Sequence, residues 1–474
     1  MKVLFVASES TPLVKVGGLA DVIGSLPKAL VGIGHDVRVM LPDYSIIDAG
    51  KYIPVNIEKN IKVVSGRFNE NVTIKEVTVN SITYYLLDNA RFLHTGEVYG
   101  EHELEHFYFF CKAVIASLNH MTWKPDIVHC HDWHTALIPL WLKNGHSSSR
   151  SIFTIHNLAY QGPLNQNFLT DPDVMQSWQA YDKHGPQPLY NFMSIGILGA
   201  DLVTTVSERY AQEIITEEYG AGMDRLLRHR QNNLRGIING IDYEEYNPTT
   251  DPLINANYDS NNIIQRTQNK SILQKKAGLP EDGEVPLIGM VSRLDEQKGF
   301  DILSAILDRF INKTHCQMII LGKGLEKYQR FFTSAAEKYS QQLKVTVGFD
   351  DMLAHLIYSG CDMFLMPSKF EPCGLGQLIA MRYGAVPVVR HTGGLVDTVK
   401  ELSSDLNNGS GFVFEKYDTD SLYFALERAV NSFYGRKEDW YRIVQRIMSL
   451  DFSWNNSAKK YETAYQQILT GRGG

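Results

Sequence analysis

The sequence is poor in cysteine, with five in 474 residues, at positions 111, 130, 316, 361 and 373. The number is odd, the spacings are wide and no CxxC occurs. This excludes a disulfide-stapled scaffold, speaks against a structural zinc site and leads us to expect reduced thiols in a cytoplasmic protein. Long apolar runs are also missing. None approaches the ~18 residues of a membrane span, so no membrane segment is expected. The apolar stretch 3–7 stops at Ser8, Glu9 and Ser10, which reads as a first strand and not a signal peptide, and no transit peptide is expected. Positive charge is not in excess: Lys+Arg is 46 against 53 Asp+Glu, a net charge of −7. That balance argues against a nucleic-acid binder that works by an overall basic field.

What is present is ordinary globular composition, 44% hydrophobic and 21% charged, which excludes wholesale disorder. At a rough ~150 residues per domain the length allows two large or three small domains. Short runs rich in Val and Ile recur at 3–7, 37–41, 127–130, 152–155, 202–206 and 237–238. They resume at 287–291, 317–321, 345–347, 363–366 and 386–389. Continuous apolar runs predict strands covered on both faces, and the stretches between them suit crossover helices, as at 21–34. The class is therefore α/β, doubly wound. Segment 69–87 alternates instead and predicts a hairpin or meander added to the first sheet. A polar stretch, about 239–286, separates the two sets of strands and places a domain boundary near residue 240. The stretch 454–469 predicts an amphipathic helix, with a frayed tail beyond it.

The chemistry-bearing residues cluster after strands. KVGGLADV (15–22) follows the first strand. Glycines at a strand-to-helix turn let the backbone approach a ligand, the helix N-terminus offers N–H groups to an anion, and Lys15 adds a full charge. A tight turn with a solvated lysine explains the same residues about equally well. The motif is neither GxGxxG nor GxxxxGK[ST]. HCHDWH (129–134) closes the strand at 127–130, where doubly wound sheets bind ligands. A metal site is disfavoured there, because successive strand residues point to opposite faces. Asp132 and His134 with Trp133 as a stacking surface suit a sugar, and the plainer alternative is a buried histidine satisfied by backbone. TIHNLAYQG (154–162) puts His156 at the next strand's end. In the second half SRLDEQKG (292–299) supplies Arg293 and Lys298, two cations that suit phosphate oxygens, though a basic loop flanking a helix explains them as well. PSKFEPCGLGQL (367–378) supplies Glu371, a carboxylate for sugar hydroxyls, with Pro372 at or just before a helix start. Cys373 reads as a small wall residue, since no paired histidine is apparent. HTGGL (391–395) repeats the strand–GG–helix pattern and predicts a second anion-binding helix N-terminus.

Five of these motifs, KVGGLADV, HCHDWH, TIHNLAYQG, SRLDEQKG and PSKFEPCGLGQL, together with NGID (239–242) at the start of the polar stretch, occur in the order and spacing of bacterial glycogen synthases and plant starch synthases, which the chain resembles over essentially its whole length. Val16, in place of the common Thr, resembles the branch containing plant starch synthases III and IV. The resemblance implies the GT-B arrangement, two Rossmann-like domains facing each other across a deep cleft: 1–240, 241–455, and a helix 456–474 packing back on the first. It implies retaining transfer of glucose from ADP-glucose to the non-reducing end of an α-1,4-glucan, with no cofactor and no metal. Lys15, with the backbone of Gly17 and Gly18, would contact the donor. Arg293 and Lys298 would neutralise the diphosphate, Glu371 would hold the transferred glucose, and Asp132 and His156 would flank the reacting sugar. Asn239 lies near the sugar in this reading, Phe349 stacks on the adenine, and Tyr99 lies on a nucleotide-side loop. Asp21, Trp133, Asn157, Gln297, Cys373, Gly374, Leu375, Thr392 and Gly393 complete the expected binding set. Partners are ADP-glucose and a glucan such as glycogen, starch or a maltooligosaccharide, with no nucleic acid and no membrane. The competing readings are a UDP-glucose transferase of the sucrose-synthase type, an NAD-dependent oxidoreductase, which the missing GxGxxG disfavours, and a glucan-binding scaffold.

Overall fold

A computed structural model describes residues 1–146, 148–179 and 189–471. The chain divides into two compact units, one of residues 1–240 with 454–474 and one of residues 241–453.

The first unit carries nine strands: β1 (Lys2–Val6), β2 (Asp36–Pro42), β3 (Val55–Val64), β4 (Asn69–Val79), β5 (Ile82–Asp88), β6 (Ile127–His131), β7 (Arg150–Ile155), β8 (Leu202–Thr205) and β9 (Leu234–Gly236). Their order is β3-β4-β5-β2-β1-β6-β7-β8-β9. From β5 through β9 every neighbour is parallel, and β3–β4–β5 form an antiparallel meander. The parallel strands are buried on both faces, as their unbroken apolar runs require. The chain leaves β1 toward β2 on one side of the sheet and leaves β6 toward β7 on the other, so the topological switch point lies between β1 and β6. A doubly wound sheet opens its ligand crevice there, at the carboxyl ends of its strands. The C-terminal helix Trp454–Leu469 belongs to this unit. It packs on the helix Gly18–Gly32 and buries Trp454, Tyr461 and Tyr465 in the unit's core.

The second unit carries β10 (Leu287–Val291), β11 (Gln317–Gly322), β12 (Leu343–Val347), β13 (Met363–Met366), β14 (Val386–Arg390) and β15 (Phe412–Phe414), all parallel in the order β12-β11-β10-β13-β14-β15. Its switch point lies between β10 and β13. Its core is a separate cluster that includes Ile288, Phe310, Phe364 and Val388.

Three details depart from the sequence reading. The strand expected at 237–238 ends earlier, at Gly236, because Gly236 pairs with Thr205, the last residue of β8. β3 was not expected. It is an edge strand of mixed, largely exposed residues with two register shifts, so it lacks the two-residue period that marks a half-buried strand. β15 has three residues, too few to leave a pattern.

Candidate active site

Four of the motifs flank the two switch points, each within its own unit. In the first unit the KVGGL turn follows β1, the HCHDWH loop follows β6, and His156 and Asn157 follow β7. β6 and β7 pair in register from Ile127/Arg150 to His131/Thr154, which brings His156 beside the end of β6. His131 Nδ1 and His156 Nε2 are 2.9 Å apart, while His131 Nε2 is buried with no hydrogen-bond partner among the described residues. His129 is satisfied by side chains, Thr154 Oγ1 at 2.6 Å and the Tyr465 hydroxyl at 2.9 Å.

Asp132 has φ 55° and ψ −179°, a conformation that costs a non-glycine residue about 1–3 kcal/mol. Two hydrogen bonds impose it: its N–H donates to Thr154 O (2.9 Å), and its Oδ1 accepts from the His156 N–H (2.8 Å). Burial pushes its carboxyl up to about 7, against the lowering effect of the His156 and Asn157 N–H groups and with a further push from Glu9. Burial pushes His134 and His156 down to about 3, so both rings are neutral near pH 7.

Lys15 Nζ lies 2.6 Å from Asp21 Oδ1 on the first turn of the helix Gly18–Gly32. The turn before it differs from the expected anion cradle. Glu9, which sequence reasoning passed over as a strand terminator, turns its buried carboxylate into it. Oε2 accepts from the Val16 N–H (2.5 Å) and the Gly17 N–H (2.9 Å), and Oε1 accepts from the Tyr99 hydroxyl (3.1 Å). Tyr99 therefore sits against the KVGGL turn, where its hydroxyl also meets Ser8 Oγ at 3.0 Å. Trp133 likewise has a different place from the one expected. Its ring is buried, edge-on to Phe107 at 5.3 Å and pressed by Gly162, where a Cβ would come within 2.3 Å of the indole. It fills the core and offers no open stacking face.

In the second unit β10 and β13 are neighbours, so SRLDEQKG and PSKFEPCG lie side by side, joined by the Lys369 N–H donating to Gln297 O at 2.8 Å. Lys298 Nζ is 2.7 Å from Glu371 Oε2, which also accepts from Ser368 Oγ at 3.0 Å. Arg293 is half-exposed, 3.1 Å from Asp295 Oδ2 and 3.1 Å from Gln297 Oε1. Gly393 has φ 48°, and a Cβ there would meet Glu371 O at 1.8 Å; the Gly394 N–H then donates to that same carbonyl (3.0 Å). The HTGG turn thus packs backbone to backbone on the Glu371 loop, with Thr392 and Cys373 buried in the same region. The helix after it, Gly394–Thr398, has five residues and spends its first N–H on Glu371, so it is not the open anion-binding terminus expected. Pro372 precedes the helix start by more than the sequence implied: that helix is Gly376–Arg382, with Gly374 and Leu375 in the lead-in. Arg390, also missed, donates from the end of β14 to Lys369 O and Glu415 O and so holds the same loop. Phe349, just past β12, is 82% exposed. Asn239 is buried after β9, and its Oδ1 has no partner among the described residues.

One group among the described residues could hold a metal ion, Asp43, Asp88 and His94. The Lys75 ammonium already bridges its two carboxylates at 2.6 and 2.9 Å. No helix among the described residues is long and apolar enough to cross a membrane.

Comparison with known proteins follows the same division. Residues 2–229 match the family described as starch synthase catalytic domain, and residues 271–441 match glycosyl transferases group 1. The chain is 44% identical to a glycogen synthase of Geotalea daltonii over 100% of both chains. It is 41% identical to the glycogen synthase of Bacillus subtilis over 99% of this chain and 98% of that one. Among solved structures, the catalytic domain of starch synthase IV from Arabidopsis thaliana, bound to ADP and acarbose, superposes with a TM-score of 0.90 at 34% identity, covering 99% of each chain. Sucrose-phosphate synthase from Thermosynechococcus elongatus shares the fold at 16% identity, with a TM-score of 0.62 and 99% of each chain covered.

Proposed function

The chain belongs to the glycogen and starch synthase family of GT-B glycosyltransferases, and from that premise we propose that it transfers glucose from ADP-glucose to the non-reducing end of an α-1,4-glucan with retention of anomeric configuration. The observation that carries the chemistry is the second unit's switch point, where Lys298, Glu371 and Arg293 are gathered on two adjacent loops. Arg293 and Lys298 suit a diphosphate whose negative charge grows as the bond to the sugar breaks, and charge stabilisation of that kind is commonly the largest catalytic contribution. Lys15, in the first unit, is the donor contact that the family resemblance implies.

Retention follows from attack on the face the leaving group departs from. The bond between the anomeric carbon and the diphosphate oxygen breaks. The acceptor's 4-hydroxyl oxygen bonds to that carbon, and its proton passes to the departing diphosphate oxygen. Glu371 is held by Lys298 and Ser368 and Asp132 by backbone N–H groups, engagements that favour holding the sugar over attacking it. Arg293 and Lys298 carry the charge that a metal would otherwise neutralise, so we assign no cofactor. A cytoplasmic location is part of the same proposal, resting on five reduced, buried cysteines.

The test is glucose incorporation into a short maltooligosaccharide from ADP-glucose and, in parallel, UDP-glucose, with Lys15→Ala as control and EDTA in a third arm. Lys15-dependent growth from ADP-glucose that persists in EDTA supports the proposal. Faster transfer from UDP-glucose overturns the donor assignment. Glucan binding without transfer overturns the enzymatic one.

A further inference from the structure

Glu9 is 2% exposed and lies at the first unit's switch point, yet no charged side chain pairs with it in the described residues. Its partners are three converging donors. Two are consecutive backbone N–H groups, those of Val16 and Gly17, in the turn that begins with Lys15. The third is the hydroxyl of Tyr99, some ninety residues along the chain. Tyr99 is in turn braced by Ser8 Oγ at 3.0 Å and lies over the His134 ring at 5.1 Å between centroids. The Tyr44 hydroxyl donates to the carbonyl of Ser8 (2.8 Å), fixing the backbone one residue before Glu9. A carboxylate offers acceptors only, and all three of these partners are donors. Burial raises the Glu9 pKa while the Val16, Gly17 and Tyr99 donors lower it; Asp21 nearby raises it further.

We infer that Glu9 is a positioning residue: its carboxylate ties the Lys15–Gly17 turn to the Tyr99 loop, so that the Lys15 ammonium is presented in one place. Glu9 touches no reacting atom in this account. It acts through the backbone of the turn, and it fills two N–H groups that a glycine-rich turn would otherwise offer to a ligand anion. Lys15 then meets its ligand as a charge on a fixed stem, in place of a backbone nest. A shorter carboxylate cannot replace it, because Glu9→Asp draws the oxygens back by roughly 1.5 Å, about one bond length. Glu9→Gln can in part. Its amide oxygen serves the two N–H groups, and its NH₂ meets the Tyr99 oxygen, which then donates to Ser8.

The inference rests on Lys15 being a donor contact, so the experiment includes a readout that does not need transfer. Peptide-resolved amide exchange over residues 15–18 reports the two backbone bonds directly, and kcat and KM for ADP-glucose report the consequence. Glu9→Ala is expected to lose protection at Val16 and Gly17 and to lower kcat/KM about 10²-fold, the scale of an ångström-sized misplacement. Added formate is expected to restore part of both. Glu9→Gln is expected to stay within tenfold of wild type. Tyr99→Phe is expected to cost several-fold alone and nothing further in the Glu9→Ala background. The inference is overturned if Glu9→Ala stays within threefold, if its Val16 and Gly17 amides remain protected, if Glu9→Gln falls as far as Glu9→Ala, or if the Tyr99→Phe effect adds in full. A wild-type chain that transfers nothing defeats the proposed function instead, and the exchange arm still decides the role of Glu9.

Discussion

In the first unit the titratable groups at the carboxyl ends of β6 and β7 are governed by burial. His134 and His156 are held neutral near pH 7, and the Asp132 carboxyl titrates at about 7 on a strained backbone. In the second unit the corresponding position, between β10 and β13, holds full charges: Lys298 paired with Glu371, and a half-exposed Arg293 beside Asp295. Both units place their residues by the same topological rule. They differ in what they prepare for. The second is ionic, which suits the diphosphate of the proposed donor. The first is desolvated, as suits a neutral, hydroxyl-rich sugar flanked by groups that exclude water.

The largest test of this contrast is Lys298→Ala. Transfer should fall about 10²–10³-fold, the usual cost of removing one donor from a developing anion. Glu371 would also be left buried without its cation, at a cost of about 3–5 kcal/mol that shows as a lower Tm. The double variant Lys298→Met/Glu371→Gln should recover most of that stability, because no lone charge remains, and none of the turnover. Recovery of both would mean that the pair is structural and would break the comparison.

The second unit was the more legible in the sequence for the same reason. Arg293, Lys298 and Glu371 are charged residues on loops after apolar runs, and a doubly wound sheet puts such loops together. The first unit's critical features left weaker traces. Nothing local distinguishes Glu9 from a polar strand terminator, since its partners are a turn seven and eight residues on and a tyrosine ninety away. The φ of Asp132 is imposed by β7, and the burial of Trp133 depends on Gly162, so neither follows from HCHDWH alone. The parallel strands were readable because burial on both faces leaves unbroken apolar runs, whereas β3, at an exposed edge, leaves none.

Asp132→Asn probes the desolvated side. Asparagine tolerates positive φ and its Oδ1 can still accept from the His156 N–H, so the fold should be kept. Transfer should fall roughly 10- to 10²-fold, the worth of one charge-assisted hydrogen bond. Stability should move the other way. A carboxyl raised from its ordinary value of 3.8 to about 7 binds its proton more tightly in the folded state, so folding free energy is lost as pH rises between those values. Above pH 7 the Asn variant should therefore be more stable by roughly 2–4 kcal/mol, with the gap closing toward pH 4. A variant slower in transfer and no more stable at pH 8 would mean that Asp132 is not a strained, desolvated acid.

Acid should separate the units next. His106 is held at about 4, and His134 and His156 at about 3, all by burial. Below an ordinary histidine pKa of 6.5 the unfolded chain binds protons that these rings refuse, so stability falls as pH drops from 6.5 toward 3. With His129 and His131, which burial lowers in the same way, these histidines outweigh the opposite slope of Asp132, leaving a loss on the order of a few kcal/mol per pH unit, concentrated in the first unit. Native-state amide exchange between pH 6 and 5, corrected for intrinsic rates, should show β6 and β7 opening more readily while β10 and β13 hold. Equal loosening of both sheets would erase the distinction.

The smallest effect sets two aromatics against each other. Trp133 was expected to be a sugar platform and is core; Phe349 was expected to stack on the adenine and is 82% exposed. An exposed ring contributes little to folding, so Phe349→Ala should leave stability within about 0.5 kcal/mol of wild type. If the ring covers the nucleotide base, the lost stack is worth about 0.5–1.5 kcal/mol, and KM for ADP-glucose should rise roughly 2- to 10-fold with kcat unchanged. Phe349→Tyr keeps the ring and should stay within about twofold of wild type, since the same stacking face remains. Trp133→Ala should instead cost about 3–5 kcal/mol, because it empties a packed site against Phe107 and Gly162. A fall in Tm for Phe349→Ala, or an unchanged KM, would remove Phe349 from the nucleotide side. The second unit's site would then have to hold its donor through the diphosphate charges alone.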